Sequence, residues 1–401
     1  MKRYVIVGDG VAGARASIKI RDTDPEGDIH IFTEEAHPFY YRVRFPELVA
    51  GDIKVKDIII HSKEYYQNKK ISLHLEERVT GGDPQKREIT TQIGKSYLYD
   101  QLLLATGGYA FVPPIKGVEK KGVFTLRSMS DAIGFMEFLS GVKQAILIGG
   151  GLVGFETGGA LLKRGIKVAV IEYNPRILPR QTDPEGAKIL QGKMERMGFS
   201  FFLTAQSDEI MGKEKVEGLR LKDGRIVEGQ MVIISAGVRP NLQLAKTMGV
   251  ETKDGILVND RMETKTEGIY AAGDVAEHRG RCYGLWPAAQ KQGEVAGVNM
   301  AGGNTVYEGT TVSNRLKVVG VDLTAIGDID AEGKLECVVR CDPESGVYRK
   351  LAFKEDKIVG CLCLGDVKGV QEIQNAIESK LGVKELKQSI LEEEFDFKKL
   401  K

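Results

Sequence analysis

Two stretches of this chain share one design. Residues 3–13, "RYVIVGDGVAG", and residues 144–154, "QAILIGGGLVG", each run an apolar β-forming segment into glycines spaced G-x-G-x-x-G. The glycines are Gly8, Gly10 and Gly13 in the first copy and Gly149, Gly151 and Gly154 in the second. A helical stretch follows each turn, and then a second strand. That strand is "DIHIFTEE", ending in Glu34 and Glu35, in the first copy and "KVAVIE", ending in Glu172, in the second. Each part has a physical reason. The first glycine admits a tight turn, the second lets backbone N–H groups approach a pyrophosphate, and the third lets helix and strand pack closely. The helix N-terminus adds a positive dipole, and the acid at the tip of the next strand can take ribose hydroxyls.

The repeat extends downstream. "YDQLLLATGGYAFVPP" follows the first copy and "GQMVIISAGVRPN" the second, each an apolar strand leading to Ala105-Thr106-Gly107 or Ser235-Ala236-Gly237. Two homologous dinucleotide-binding domains account for this most economically. A third segment, "TEGIYAAGDVAEHRG", reads as a strand ending at Gly273-Asp274, where a helix is expected to begin. An aspartate there can accept hydrogen bonds from helix N–H groups and from a polyol; an ordinary N-cap is the alternative.

At 401 residues the chain is expected to divide into about two to four domains. Hydrophobic residues at 42% and charged residues at 28% describe a globular protein, neither disordered nor fibrous. A net charge of +1 gives no reason to expect nucleic acid or an anionic membrane as partner. "MKRYVIV" enters a strand pattern directly, so no secretory signal is expected, and no run of about 18 apolar residues suggests a membrane span. The cysteines, Cys282, Cys337, Cys341, Cys361 and Cys363, are odd in number and read as reduced thiols. The expected compartment is the cytoplasm.

The order of "LLLATGG", "FTLRSMSDA", "GGGLVGFE", "SAGVRPN" and "GIYAAGDVA" after the first turn resembles the FAD- and NAD(P)H-dependent pyridine nucleotide oxidoreductases over essentially the whole chain. The resemblance implies an α/β protein with two Rossmann-like domains of the three-layer ββα type and a small α+β C-terminal domain. It places a discontinuous FAD-binding domain at 1–112 and 241–309, an NAD-binding domain at 113–240 and the C-terminal domain at 310–401. It assigns the FAD pyrophosphate to Gly8, Gly10, Val11, Ala12 and Gly13, and the FAD ribose to Glu34 or Glu35. Arg42, Val79, Ala105, Thr106, Gly107 and Arg127 would line the flavin site, with Gly273, Asp274 and Ala289 near the ribityl chain. Gly149, Gly151, Leu152, Val153, Gly154, Glu172 and Gly237 would hold NADH, NADPH being less favoured because Glu172 would repel a 2′-phosphate. Glu156 would lie beside nicotinamide and flavin as the catalytic side chain.

"HPFYYRVRFPELVAG", residues 37–51, contains no cysteine, whereas thiol-dependent members of the family carry one or two near here. This stretch and the tail segments "VSNRLKVVGVDLTAIGDI" and "YRKLAFKEDKIVGCLCLGD" resemble the rubredoxin-reductase and nitrite-reductase flavoprotein branch. The resemblance implies hydride transfer from NADH to FAD and onward transfer to an acceptor, with rubredoxin or a similar small iron–sulfur or iron protein leading. An oxygen-reducing NADH oxidase, or a redox-sensing flavoprotein or flavin subunit of a larger complex, is the alternative; a homodimer is left open. Leu152 stands where many relatives have a gating tyrosine. Arg42, Arg44, Arg279, Arg281 and Lys291 are expected to form a basic collar for the acceptor, and scattered solvated charges are the alternative. No metal site is expected from the five histidines or from the cysteine pairs, and the charged tail "LEEEFDFKKLK" reads as a solvated helix end.

Overall fold

The computed structural model describes residues 1–318 and 320–400. Its first sheet is parallel throughout. Side by side it runs Ile269–Ala271, Gln101–Leu104, Arg3–Val7, Asp28–Phe32 and Ile71–His74. The outermost strand comes from beyond the second glycine turn, so the second unit is inserted within the first.

The central strand, Arg3–Val7, is buried on both faces, as an interior parallel strand must be. Tyr4 and Ile6 face a helical layer, and Val5 and Val7 face an antiparallel layer formed by Val79–Asp83, Glu88–Thr91 and Ser96–Leu98. In the helical layer, helix Val11–Thr23 buries Ala12, Ala16 and Ile20, spaced by four. Its partner, helix Trp286–Met300, presents Gly293 and Gly297, where added Cβ atoms would stand 2.8 Å from Ala12 Cα and 2.9 Å from Ala16 Cα. Small residues on both helices thus allow backbone to approach backbone.

The second unit repeats the plan: parallel strands Phe199–Phe202, Lys167–Ile171, Gln144–Ile148, Met231–Ile234 and Val123–Phe124. Ala145 and Leu147 face its helices, while Ile146 and Ile148 face the antiparallel strands Ser207–Met211, Gly218–Leu221 and Ile226–Glu228. A two-stranded ribbon, Gly108–Ala110 against Val238–Pro240, joins the units.

The C-terminal unit is a five-stranded antiparallel sheet in the order Ser313–Val318, Val321–Gly327, Lys357–Leu364, Val347–Lys354, Glu336–Asp342. Alternation along Lys357–Leu364 sends Leu362 and Leu364 toward helix Pro184–Arg196 of the second unit. Cys361 and Cys363 point the other way, into a cluster with helix Val370–Ser379. Tyr348 donates to Asp183 (2.7 Å), the same carboxylate that caps helix Pro184–Arg196. The final segment is not a solvated helix end: Leu391, Phe395, Phe397 and Leu400 are buried in that cluster, and hydrophobic burial overrides the charged residues between them. Among the described residues, no helix is long and apolar enough to cross a membrane.

Candidate functional site

The two glycine turns are built alike. Gly8 N–H donates to Phe32 (2.8 Å) and Gly149 N–H to Ile171 (2.9 Å), tying each turn to its second strand. Gly8 has φ +112° and Gly149 φ +101°, a region that side chains disfavour. A Cβ on Gly8 would lie 2.8 Å from the Ala105 carbonyl carbon; one on Gly149 would lie 2.5 Å from the Ser235 carbonyl oxygen. The repeated Ala105-Thr106-Gly107 and Ser235-Ala236-Gly237 segments are therefore the floor on which each turn rests. Gly13 and Gly154 pack back against the carbonyls of Gly8 and Gly149. The middle glycines differ in kind. Nothing lies within 4 Å of a Cβ on Gly10, and only Ser235 O, at 3.9 Å, approaches one on Gly151. Gly10 and Gly151 are the N-caps of helices Val11–Thr23 and Leu152–Lys163, and no side chain caps either. Each turn thus leaves open space over unpartnered helix N–H groups, which suits a pyrophosphate.

A cleft of ≈ 1290 Å³ opens at the first turn. It collects Gly8, Gly10, Val11, Ala12, Glu34, Glu35, Arg42, Val79, Ala105, Thr106, Gly107, Arg127, Gly273, Asp274 and Ala289, and Val153 and Glu156 of the second unit reach it too. Gly13 is buried between helix and strand. Gly149, Gly151, Leu152, Gly154, Glu172 and Gly237 stand outside this cleft, around the second turn.

Asp274 does not begin a helix. Gly273, at φ +88°, turns the chain into the short strand Ala276–His278, and the helix starts at Trp286. The Asp274 carboxylate instead accepts from Arg127 (2.7 Å), whose Nε donates to Gly108 O (3.0 Å). Glu35 accepts from the Tyr40 hydroxyl (2.5 Å) with Arg42 3.9 Å away, while Glu34 is exposed beside Arg78 at 3.5 Å. In the second unit Glu172 is buried. It accepts from Gly150 N (2.7 Å), Asn174 N (2.7 Å) and Asn174 Nδ2 (2.6 Å), so the residue expected to take the ribose hydroxyls also holds the turn. Arg176 donates to Thr182 O and Pro179 O within its own loop.

The expected collar is largely neutralised. Arg44 is paired with Glu47 (2.6 Å), Arg279 with Asp260 (2.7 Å), and Arg42 lies in the cleft. Arg281 and Lys291 remain exposed. The Arg279 and His278 contacts hold the Asp260 carboxyl down at about 2. Asp260, nineteen residues from Arg279, is a partner that charge spacing cannot foresee, whereas Glu47 lies only three residues from Arg44.

Several polar groups were invisible as site residues. Asp9, an "x" of the first motif, is buried and accepts from Tyr66 Oη (2.5 Å) and Phe39 N–H (2.9 Å). Its only sequence signal is an acid between two turn glycines. His30 and His74 meet at 3.0 Å because adjacent parallel strands carry them. Among the described residues no group of three or more His, Cys, Asp or Glu is placed to hold a metal.

The family model of the pyridine nucleotide-disulphide oxidoreductases matches residues 2–293. The chain belongs to that family. A second model, the rubredoxin NAD+ reductase C-terminal domain, matches residues 313–381. The chain is 36% identical to the nitrite reductase [NAD(P)H] of Bacillus subtilis (strain 168) over 96% of its own length and 48% of that protein's. It is 33% identical to the NADH-rubredoxin oxidoreductase of Clostridium acetobutylicum over 94% of each. The crystal structure of the NADH:rubredoxin oxidoreductase from Clostridium acetobutylicum superposes with a TM-score of 0.81 at 30% identity, covering 95% of this chain and 96% of that one. The chain spans about half the length of the nitrite and nitrate reductase relatives it matches.

Proposed function

We propose that this chain is an FAD-dependent oxidoreductase that oxidises NADH, with NADPH the poorer donor, and passes electrons to a small iron–sulfur or rubredoxin-type carrier. The observation that carries this reading is the cleft in which the first glycine turn, Asp274 and Arg127 meet Val153 and Glu156 from the second turn's helix. The domain limits that go with it are 1–112 with 241–309, 113–240, and 310–401.

Bound FAD would supply the redox chemistry, accepting a hydride and releasing electrons singly. The Gly8–Ala12 turn and the uncapped helix N-terminus hold the pyrophosphate. Asp274, oriented by Arg127, accepts from the polyol. Glu34 or Glu35 takes the adenosine ribose, and Glu35 is already oriented by Tyr40. Arg42, Val79 and Ala105 to Gly107 bound the flavin end, and Glu156 closes it from the second unit. The second turn and Glu172 hold the nicotinamide dinucleotide. None of the residues lining the cleft is a cysteine, which supports direct transfer without a thiol relay.

The test is a steady-state screen of purified holoprotein with NADH against rubredoxin, ferredoxin, oxygen, nitrite and a quinone. We expect kcat/KM for a small iron protein to exceed those for oxygen and nitrite by tenfold or more. Oxygen as the fastest acceptor, or nitrite reduction by this chain alone, would overturn the acceptor assignment.

A further inference from the structure

Asp9 has no part in the reading above, yet it sits between Gly8 and Gly10 and lines the cleft. It is tied to two other elements. Tyr66, on helix Lys63–Asn68, donates to one oxygen at 2.5 Å and Phe39 N–H to the other at 2.9 Å. Phe39 in turn stacks on Trp286 at the head of helix Trp286–Met300 (5.7 Å between ring centres). One buried carboxyl thus pins the glycine turn to the excursion that delivers Arg42 and Phe45 to the cleft.

The electrostatics of this position are one-sided. A pyrophosphate over the Gly10 N-cap would bring negative charge beside the carboxyl in a site shielded from water. The three cleft arginines are engaged elsewhere, Arg42 toward Glu35 (3.9 Å), Arg78 toward Glu34 (3.5 Å) and Arg127 with Asp274 (2.7 Å). Glu35 adds further negative charge. His61, edge-on to Tyr66 (5.7 Å), is pushed down by burial and contributes no compensating cation. The helix dipole favours the carboxylate, but the same N–H groups are what an incoming anion competes for. Burial pushes the Asp9 carboxyl up to about 7 even against the hydrogen bonds from Tyr66 and Phe39. As the neutral acid, Asp9 keeps both links, with its O–H toward Tyr66 Oη and its C=O accepting from Phe39.

We propose that Asp9 is a positioning residue that takes up one proton together with the dinucleotide, so that the cofactor is held most tightly at low pH and loosens as that proton leaves. The inference rests on the flavoprotein reading. With one proton coupled to binding, affinity for FAD falls up to tenfold per pH unit from about pH 7 upward.

The test uses holoprotein equilibrated between pH 6 and 9, with released FAD measured by fluorescence of the ultrafiltrate and folding followed by circular dichroism. Asp9→Asn reproduces the donor and acceptor of the neutral acid, so its FAD affinity should stay flat where the wild type's falls. Tyr66→Phe removes a donor to the carboxylate, so the onset of loss should move to higher pH. Parallel profiles for wild type and Asp9→Asn, or an equal loss of affinity at every pH, would overturn the proposal and leave Asp9 a structural link. If Asp9→Asn does not fold, an unshifted onset in Tyr66→Phe does the same. Folded protein that holds no FAD at any pH would instead overturn the flavoprotein reading itself.

Discussion

Alanine at Gly8 and alanine at Gly10 differ by two positions and should fail in opposite ways. At Gly8 the backbone is at φ +112°, and the new methyl would lie 2.8 Å from the Ala105 carbonyl carbon, nearer than real side chains come. The left-handed backbone costs about 1–2 kcal/mol and the forced overlap about 1–3 kcal/mol more. Gly8→Ala should therefore lose roughly 2–5 kcal/mol of stability in the first unit, whether or not cofactor is present. Gly10 is different. Its φ of −89° and ψ of −169° suit any residue, and a methyl there meets no protein atom within 4 Å. Replacing a glycine N-cap by alanine costs at most about 1 kcal/mol. That methyl does stand where a pyrophosphate must approach the helix N–H groups, so Gly10→Ala should fold and lose FAD. Urea unfolding of the apoproteins, with the FAD-to-protein absorbance ratio of the purified variants, separates the two effects. Full FAD occupancy in Gly10→Ala, or destabilisation matching that of Gly8→Ala, would refute the assignment of the turn.

Asp274→Ala should weaken FAD retention about tenfold or more by removing an acceptor and freeing Arg127; equilibrium dialysis against free FAD checks it, and unchanged retention would remove Asp274 from the site. Glu172→Ala should raise the NADPH-to-NADH ratio of kcat/KM while slackening the turn that Glu172 holds. Arg176→Ala should change that ratio less than twofold, since its guanidinium is spent on loop carbonyls; a larger change would show that it reaches the cofactor. Serine at all five cysteines should leave stopped-flow reduction by NADH nearly intact. It should also lower stability by roughly 1–3 kcal/mol for each hydroxyl introduced at buried Cys361 and Cys363.

The duplicated architecture was legible in one dimension because its requirements are local. A glycine at positive φ, a strand apolar on both faces and an acid at a strand tip are each written within about thirty residues. The family resemblance also implied that "GIYAAGD" belongs with the first unit, and Ile269–Ala271 does complete the first sheet. What the sequence left undetermined was which distant groups would meet. Asp274 looked like a helix cap, yet a glycine turn and the Arg127 guanidinium decided its role. Five charges were expected to compose a collar, but Asp260 paired with Arg279, the cleft took Arg42, and Arg44 went to its near neighbour Glu47. The charged tail looked solvated, but the cluster around helix Val370–Ser379 buried its phenylalanines. Asp9 acquired its partners from Tyr66, on a helix after the second strand. Local backbone geometry and hydrophobic period are written along the chain, whereas pairing of charges and burial of polar groups depend on contacts between segments that only the folded packing brings together.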